Sequence, residues 1–194
     1  MAMKDRGPAP RPRPDVELRA DLVRAFRWRG DRPDEGFAAD PTGWWADASL
    51  LGRFGPALAG LFAEVTPTVV LGPQSRGALL GALVATSLGV GLVEVRKDPS
   101  PAADSDRWLV ARTPPDYRDR NLLLGVRRDH VSAGDRVLFV DDWIDTGGQA
   151  LGARSIVAQA GASWLGVAVV VDGLSDARLR HDLDVRSLLN RREL

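Results

Sequence analysis

The residues best suited to chemistry lie in one run, Val137 to Gln149, reading VLFVDDWIDTGGQ. Four apolar residues lead into two adjacent acids, Asp141 and Asp142. A turn with Asp145, Thr146, Gly147 and Gly148 then opens what reads as a helix over Thr146 to Ala160. Each part has a use. Backbone N–H groups at a helix N-terminus favour an anion, phosphate above all. Gly147 and Gly148 lack a Cβ and let the backbone approach a ligand closely. Thr146 adds a hydroxyl donor, and Asp141 and Asp142 suit sugar hydroxyls or hydrated Mg²⁺. The Gly-Lys-Ser/Thr ending of a nucleotide-triphosphate loop is missing, so that class of site is excluded.

The elements that must hold this run follow from periodicity. Apolar positions Val16, Leu18, Leu22, Val23 and Phe26 predict a short helix over Asp15 to Trp28, and a longer amphipathic helix is predicted over Trp45 to Val65. Thr68 to Leu71, Leu92 to Val95, Leu122 to Val126, Val137 to Val140 and Trp164 to Val171 read as buried strands, with a last strand near Val185 to Leu189. Ala78 to Leu88 is a helix between two of them. Asp98 to Arg120 is polar and Pro-rich, a mobile loop with a possible strand at Trp108 to Ala111. Strands alternating with helices give an α/β fold around a central parallel sheet.

Composition narrows the partners. The 194 residues fit one domain, 15–194, behind a Pro/Arg-rich disordered tail, 1–14. Lys plus Arg number 26 and Asp plus Glu 26, so net charge gives no reason to expect nucleic acid. There is no membrane-spanning apolar run or signal-peptide core. The absence of cysteine excludes disulfides and thiolate chemistry and is compatible with a cytoplasmic location.

The run Val137 to Gln149 resembles the PRPP signature of type I phosphoribosyltransferases. A second segment, Val69 to Gly77 (VVLGPQSRG), looks like the strand and pyrophosphate loop of the adenine-type enzymes, and a third, Val93 to Lys97 (VEVRK), like the strand that precedes their mobile loop. The resemblance spans about Phe26 to Leu189. It implies the type I phosphoribosyltransferase fold with a small N-terminal hood, here about 26–45, and a homodimer. It implies Mg²⁺ at Asp141 and Asp142, 5′-phosphate on Thr146, Gly147, Gly148 and Gln149, and pyrophosphate on the backbone of Gln74, Ser75 and Gly77, on Arg76, and on Arg96 and Lys97. A cis or strained peptide near Gln74 is implied too. Asp116 and Tyr117 match an acid-Tyr pair in the loop of adenine-specific relatives. Alone, Arg96 and Lys97 would read as surface charges.

The resemblance implies transfer of phosphoribose from PRPP to a nucleobase, with Asp141, Asp142 and Asp145 catalytic. Departures leave the base open. Asp145 stands where adenine-type enzymes carry a small residue and 6-oxopurine enzymes an acid. Asp172, after the next strand, stands where the latter place a Lys, and as an acceptor it favours an amino group. The balance is toward an adenine-like purine, with a 6-oxopurine or specialised base as alternative. Gln149 in place of Thr or Ser, and the bulky Trp143, also fit a PRPP-sensing regulator without turnover.

Overall fold

The computed structural model describes residues 15–30, 37–100, 102, 107–114 and 121–194. The segment 1–14 and the Asp116–Tyr117 pair lie outside the described residues.

Helix α1 (Val16–Ala25) starts at Asp15, whose carboxylate accepts from the Glu17 N–H. It buries Leu18 and Leu22 and gives way to an antiparallel pair, β1 (Arg27–Arg29) and β2 (Ala38–Asp40), within the expected hood. The single helix expected from Trp45 is in fact two, α2 (Thr42–Ala46) and α3 (Ala48–Gly60). Asp47 leaves helical geometry between them, and its carboxylate accepts from the Ser49 and Leu50 N–H groups. Apolar spacing reports which face is buried and is blind to a capping residue that restarts the helix inside the pattern.

Strand β3 (Val69–Pro73) is buried along its whole length, as its unbroken apolar run requires. It leads through α4 (Arg76–Leu88) to β4 (Gly91–Lys97), which lies parallel to it. After β4 come β5 (Trp108–Arg112) and β6 (Leu123–Arg127), an antiparallel pair in which β6 pairs with β4 at Arg96 and Lys97. Strand β7 (Arg136–Ile144) enters beside β3, α5 (Gly148–Gln159) crosses to β8 (Ser163–Asp172), and α6 (Ala177–Asp182) leads to β9 (Val185–Asn190). The order is β5-β6-β4-β3-β7-β8-β9, with β4, β3, β7, β8 and β9 mutually parallel.

Each face of this sheet has its own core. Leu138 and Val140 of β7 pack with Leu22, Phe54, Leu58 and Leu80 of the helices on one side. Val137 and Phe139 pack with Ala153, Ile156 and Leu183 on the other. The two-residue period of the strand makes this split. Because the central strands run the same way, their carboxyl ends open together at one edge, where ligands of such sheets bind.

Candidate active site

The two acids sit deeper in the sheet than the sequence suggests. Strand β7 does not stop before them but continues to Ile144, with Asp141 opposite Val169 and Trp143 opposite Val171 of β8. Asp141 and Asp142 are therefore buried, 6% and 7% exposed. The Asp142 N–H donates to Asp141 Oδ1 at 2.8 Å, and Arg76 Nε lies 2.9 Å from Asp142 Oδ2. Burial first, and the neighbouring Asp142 carboxylate second, push the Asp141 carboxyl well above the usual range, and the nearby Lys97 charge eases this slightly. Gly77 makes room for the pair: a Cβ there would lie 2.8 Å from Asp141 Oδ1 and 2.5 Å from Pro73 Cδ.

The turn from β3 into α4 faces the acids. Its Gln74–Ser75 peptide bond is cis. Gln74 is not a free N–H donor as expected. Its N–H donates to the Val95 carbonyl at 3.0 Å, and its Oε1 accepts from the Lys97 N–H at 2.9 Å. Both contacts tie the turn to the end of β4, so Gln74 braces the site. Ser75 and Arg76 line the cavity in front of the acids.

The Arg96–Lys97 pair is split by the strand period. Val93 and Val95 are buried and Lys97 shares their face and lines the cavity, whereas Arg96 turns with Glu94 to the opposite face, 3.7 Å from its carboxylate. Arg96 is thus outside the site within this chain.

On the other side of the acids the predicted phosphate loop takes shape. Gly147 adopts φ +77°, a left-handed conformation that L side chains rarely adopt, and α5 begins at Gly148. A Cβ on Gly147 would also lie 2.8 Å from Leu179 Cδ2, so α6 presses directly on the loop. Among the described residues the Gly148 N–H has one long bond, 3.4 Å to Thr146 Oγ1, and the helix-start donors face a cavity of about 180 Å³ lined by Thr146, Gly147, Gly148 and Gln149. The Gln149 Oε1 is buried without a hydrogen-bond partner among the described residues. Its side chain also borders a larger adjoining cavity of about 760 Å³.

That larger cavity runs from Arg76 and Lys97 past the acids to the hood, whose Trp28, Phe37 and Ala38 wall its far end. Trp143 serves twice. Its ring packs edge-to-face against Trp28, with centroids 6.3 Å apart, and the residue also lines both cavities without filling them. Asp145 opens on the same space, with Arg191 Nη1 at 3.4 Å from its carboxylate. Trp28 and Phe37 fall within the expected hood but had no motif to single them out, and Arg191 had no signal in sequence; each reaches the site through the fold.

Asp172 does not reach the cavity. Its carboxylate is 8% exposed, accepts from Arg180 Nε at 2.6 Å and from the Leu174 N–H at 2.9 Å, and so holds the turn after β8. The argument from Asp172 toward an aminopurine therefore falls.

Residues 57–192 match the model of the phosphoribosyl transferase domain. The adenine phosphoribosyltransferase of Myxococcus xanthus is 35% identical over 153 residues, covering 78% of this chain and 80% of that protein. The xanthine phosphoribosyltransferase of Bacillus thuringiensis is 32% identical over 126 residues, covering 65% of this chain and 64% of that protein. Among solved structures, adenine phosphoribosyltransferase from Rhodothermus marinus superposes with a TM-score of 0.76 at 29% identity, covering 91% of this chain and 99% of that one. The Saccharomyces cerevisiae enzyme, complexed with an imino-altritol bisphosphate and adenine, gives 0.76 at 29% identity over 90% of this chain and 100% of that one. By motif, by sheet topology and by these matches over most of its length, the chain belongs to the phosphoribosyltransferase family of enzymes.

Proposed function

We propose that the protein transfers the 5-phosphoribosyl group of PRPP to a ring nitrogen of a purine base, releasing pyrophosphate and a nucleoside monophosphate. Adenine, the base named for several relatives, is the first acceptor to test. One observation carries the reading. A buried acid pair lies between two anion-binding elements, the helix-start loop Thr146 to Gln149 on one side and Arg76 with Lys97 on the other. A ribose with phosphates at both ends presents the complementary order, anion, hydroxyl donors, anion.

The steps follow from this order. The bond from the anomeric carbon to pyrophosphate breaks, and its electron pair leaves with the pyrophosphate. Positive charge builds on the sugar, and the base nitrogen closes the new bond from the opposite face. The chain supplies position and electrostatics. Thr146 and the backbone of Gly147 and Gly148 hold the 5′-phosphate, Asp141 and Asp142 the ribose hydroxyls, and Arg76 and Lys97 the departing pyrophosphate. The cavity that Trp28, Phe37 and Trp143 line receives the base.

Mg²⁺ fits this site. Two adjacent carboxylates, of which Asp141 is pushed up first by burial and then by its neighbour's charge, are hard oxygen donors in want of a cation. Among the described residues there is no group of three His, Cys, Asp or Glu that could hold a metal, so the substrate's own oxygens would complete the coordination. The ion would neutralise charge on the pyrophosphate. The regulator reading is weakened because Trp143 walls the cavity and leaves about 760 Å³ open. A homodimer and a cytoplasmic location belong to the same proposal. Among the described residues no helix is long and apolar enough to cross a membrane.

The test is nucleotide formation from PRPP, Mg²⁺ and a panel of bases, by the native protein and by the double variant Asp141→Asn, Asp142→Asn. Product from the native protein and none from the folded variant is expected. Undiminished turnover in a folded double variant would remove the acid pair from the mechanism.

A further inference from the structure

Four polar residues are buried among those described: Thr113, Asp141, Asp142 and Asp172. The three acids have tasks, at the ribose and in the turn after β8. Thr113, the residue that follows β5, is 6% exposed and is not used by the steps above.

Its place is fixed from two sides. The Thr113 N–H donates to the Leu122 carbonyl at 2.9 Å, and its Oγ1 accepts from the Leu122 N–H at 3.0 Å. This reciprocal pair joins the end of β5 to the chain entering β6. On the other side the threonine lies on α5, over two glycines one turn apart. A Cβ on Gly152 would be 3.4 Å from Thr113 Cγ2, and one on Gly148 would be 3.6 Å from Thr113 Cβ. That same point at Gly148 is 3.6 Å from Thr146 Oγ1, so the two threonines flank the start of the helix. Both line the cavity of about 180 Å³ assigned above to the 5′-phosphate.

A hydroxyl holds one proton and two lone pairs. The Leu122 N–H occupies a lone pair and leaves the proton, for which the described residues provide no acceptor. A buried donor without a partner is costly. The Pro114 carbonyl oxygen, 3.4 Å from the point at Gly148, puts an acceptor on the same wall, so an anion in the cavity needs a donor there as well. The loop itself is short of one. Where the family signature has Thr or Ser, Gln149 stands with its Oε1 buried and unpaired among the described residues.

Resting on the phosphoribosyl-transfer reading, we infer that Thr113 is a further phosphate-binding residue: its hydroxyl donates to a terminal oxygen of the 5′-phosphate and stands in for the one that Gln149 displaces. The phosphate is then held by two elements, the start of α5 and the end of β5, and the second lies outside the signature.

Calorimetric titration with ribose 5-phosphate tests this without turnover, in the native protein and in Thr113→Val, Thr113→Ser and the double variant Thr113→Val, Gln149→Thr, with folding checked by thermal unfolding. Thr113→Val keeps the shape and removes the hydroxyl, and Thr113→Ala takes its place should the valine variant not fold. The Kd should rise about 10- to 100-fold in Thr113→Val, the scale for one hydrogen bond to a charged group, and stay within about threefold of native in Thr113→Ser. In turnover the KM for PRPP should rise by a similar factor while the KM for the base holds. The double variant should recover part of the loss, because a hydroxyl returns to the loop. An unchanged Kd in a folded Thr113→Val would overturn the inference. So would a loss that Gln149→Thr does not relieve, since that assigns Thr113 to the Leu122 clasp alone. Thr113-dependent binding of ribose 5-phosphate, with no nucleotide from any base, would bear out Thr113 and sink the transfer. No binding of ribose 5-phosphate by the native protein would overturn the inference whether or not nucleotide forms.

Discussion

The two ends of the cleft are held by different means. The phosphate end is made by backbone. Its acids lie inside a paired strand, its loop turns on Gly147 at φ +77°, and Gly77 is packed so tightly that no Cβ fits. The base end is made by side chains from segments far apart in the chain: Trp28 and Phe37 from the hood, Trp143 and Asp145 after the acids, and Arg191 near the C-terminus. There Phe37 is 73% exposed and the charged pair about half. Backbone geometry packed this tightly has little freedom to vary, whereas half-exposed side chains can be exchanged without disturbing the sheet. Substitutions at the first end should therefore cost far more than at the second.

The largest effect is expected at Asp141, where function and stability should move in opposite directions. Asp141→Asn should lower kcat by about 100-fold or more, the scale for removing one preorganised electrostatic group. In Mg²⁺-free buffer the same variant should be the more stable protein at neutral pH. Burial raises the folded carboxyl above its ordinary value of 3.8. The folded state then keeps a proton that the unfolded chain releases. Stability from this group is complete below the unfolded pKa and is lost as pH rises through the folded one. The amide has no such loss and its oxygen can still accept from the Asp142 N–H. Thermal unfolding from pH 4 to 8 should show the variant gaining on the native protein as pH rises. A parallel pair of curves would mean that Asp141 is ionised in the fold.

The same contrast explains what the sequence disclosed. The phosphate end was legible because its parts are contiguous: an apolar strand, acids, glycines and a helix start within Val137 to Gln149 need no fold to bring them together. The parallel sheet was legible for a related reason, since strands buried on both faces are continuous apolar runs. What failed depended on neighbours. The Arg96–Lys97 pair looks like one unit in a string, but a strand sends adjacent residues to opposite faces. Asp172 looked free until Arg180 and the Leu174 N–H took its carboxylate. Asp47 broke a helix that apolar spacing carried straight through. Arg191 offered no local pattern, because its meaning lies entirely in what it meets.

Gly147 gives the next effect, and a way to separate strain from contact. Gly147→Ala must hold an L side chain at positive φ and push its Cβ into Leu179. A loss of about 1–2 kcal/mol in stability is expected, with a KM for PRPP raised on the order of tenfold because the loop shifts from the phosphate. Adding Leu179→Ala should relieve the contact but not the φ. Partial recovery of the KM would show that α6 fixes the loop, and no recovery would assign the whole effect to the backbone.

Gln149 should matter less, and the sign is informative. Its buried Oε1 has no donor among the described residues, and beside a phosphate an acceptor gains nothing. Gln149→Thr replaces the amide with a hydroxyl that can donate. The KM for PRPP should fall about threefold, on the scale of a modest hydrogen-bond gain, with the KM for the base unchanged. A rise instead would show that the Gln149 amide group, turned to present its NH₂, already serves the phosphate.

The smallest effect is expected at the rim of the base end, and it sharpens the comparison most directly. Phe37 lies open on the hood, so its removal leaves no internal hole, and stability should change by no more than about 0.5 kcal/mol. If the hood covers a bound purine, Phe37→Ala exposes one edge of that ring to water. The KM for the base should rise about two- to fivefold, the value of a partly desolvated aromatic contact, while the KM for PRPP stays fixed. The two constants decide where the division between the ends falls. A base-only change places the boundary between the hood and the acid pair. A matching rise in the PRPP constant would mean that the hood closes over both substrates together, and that the two ends, built differently, bind as one.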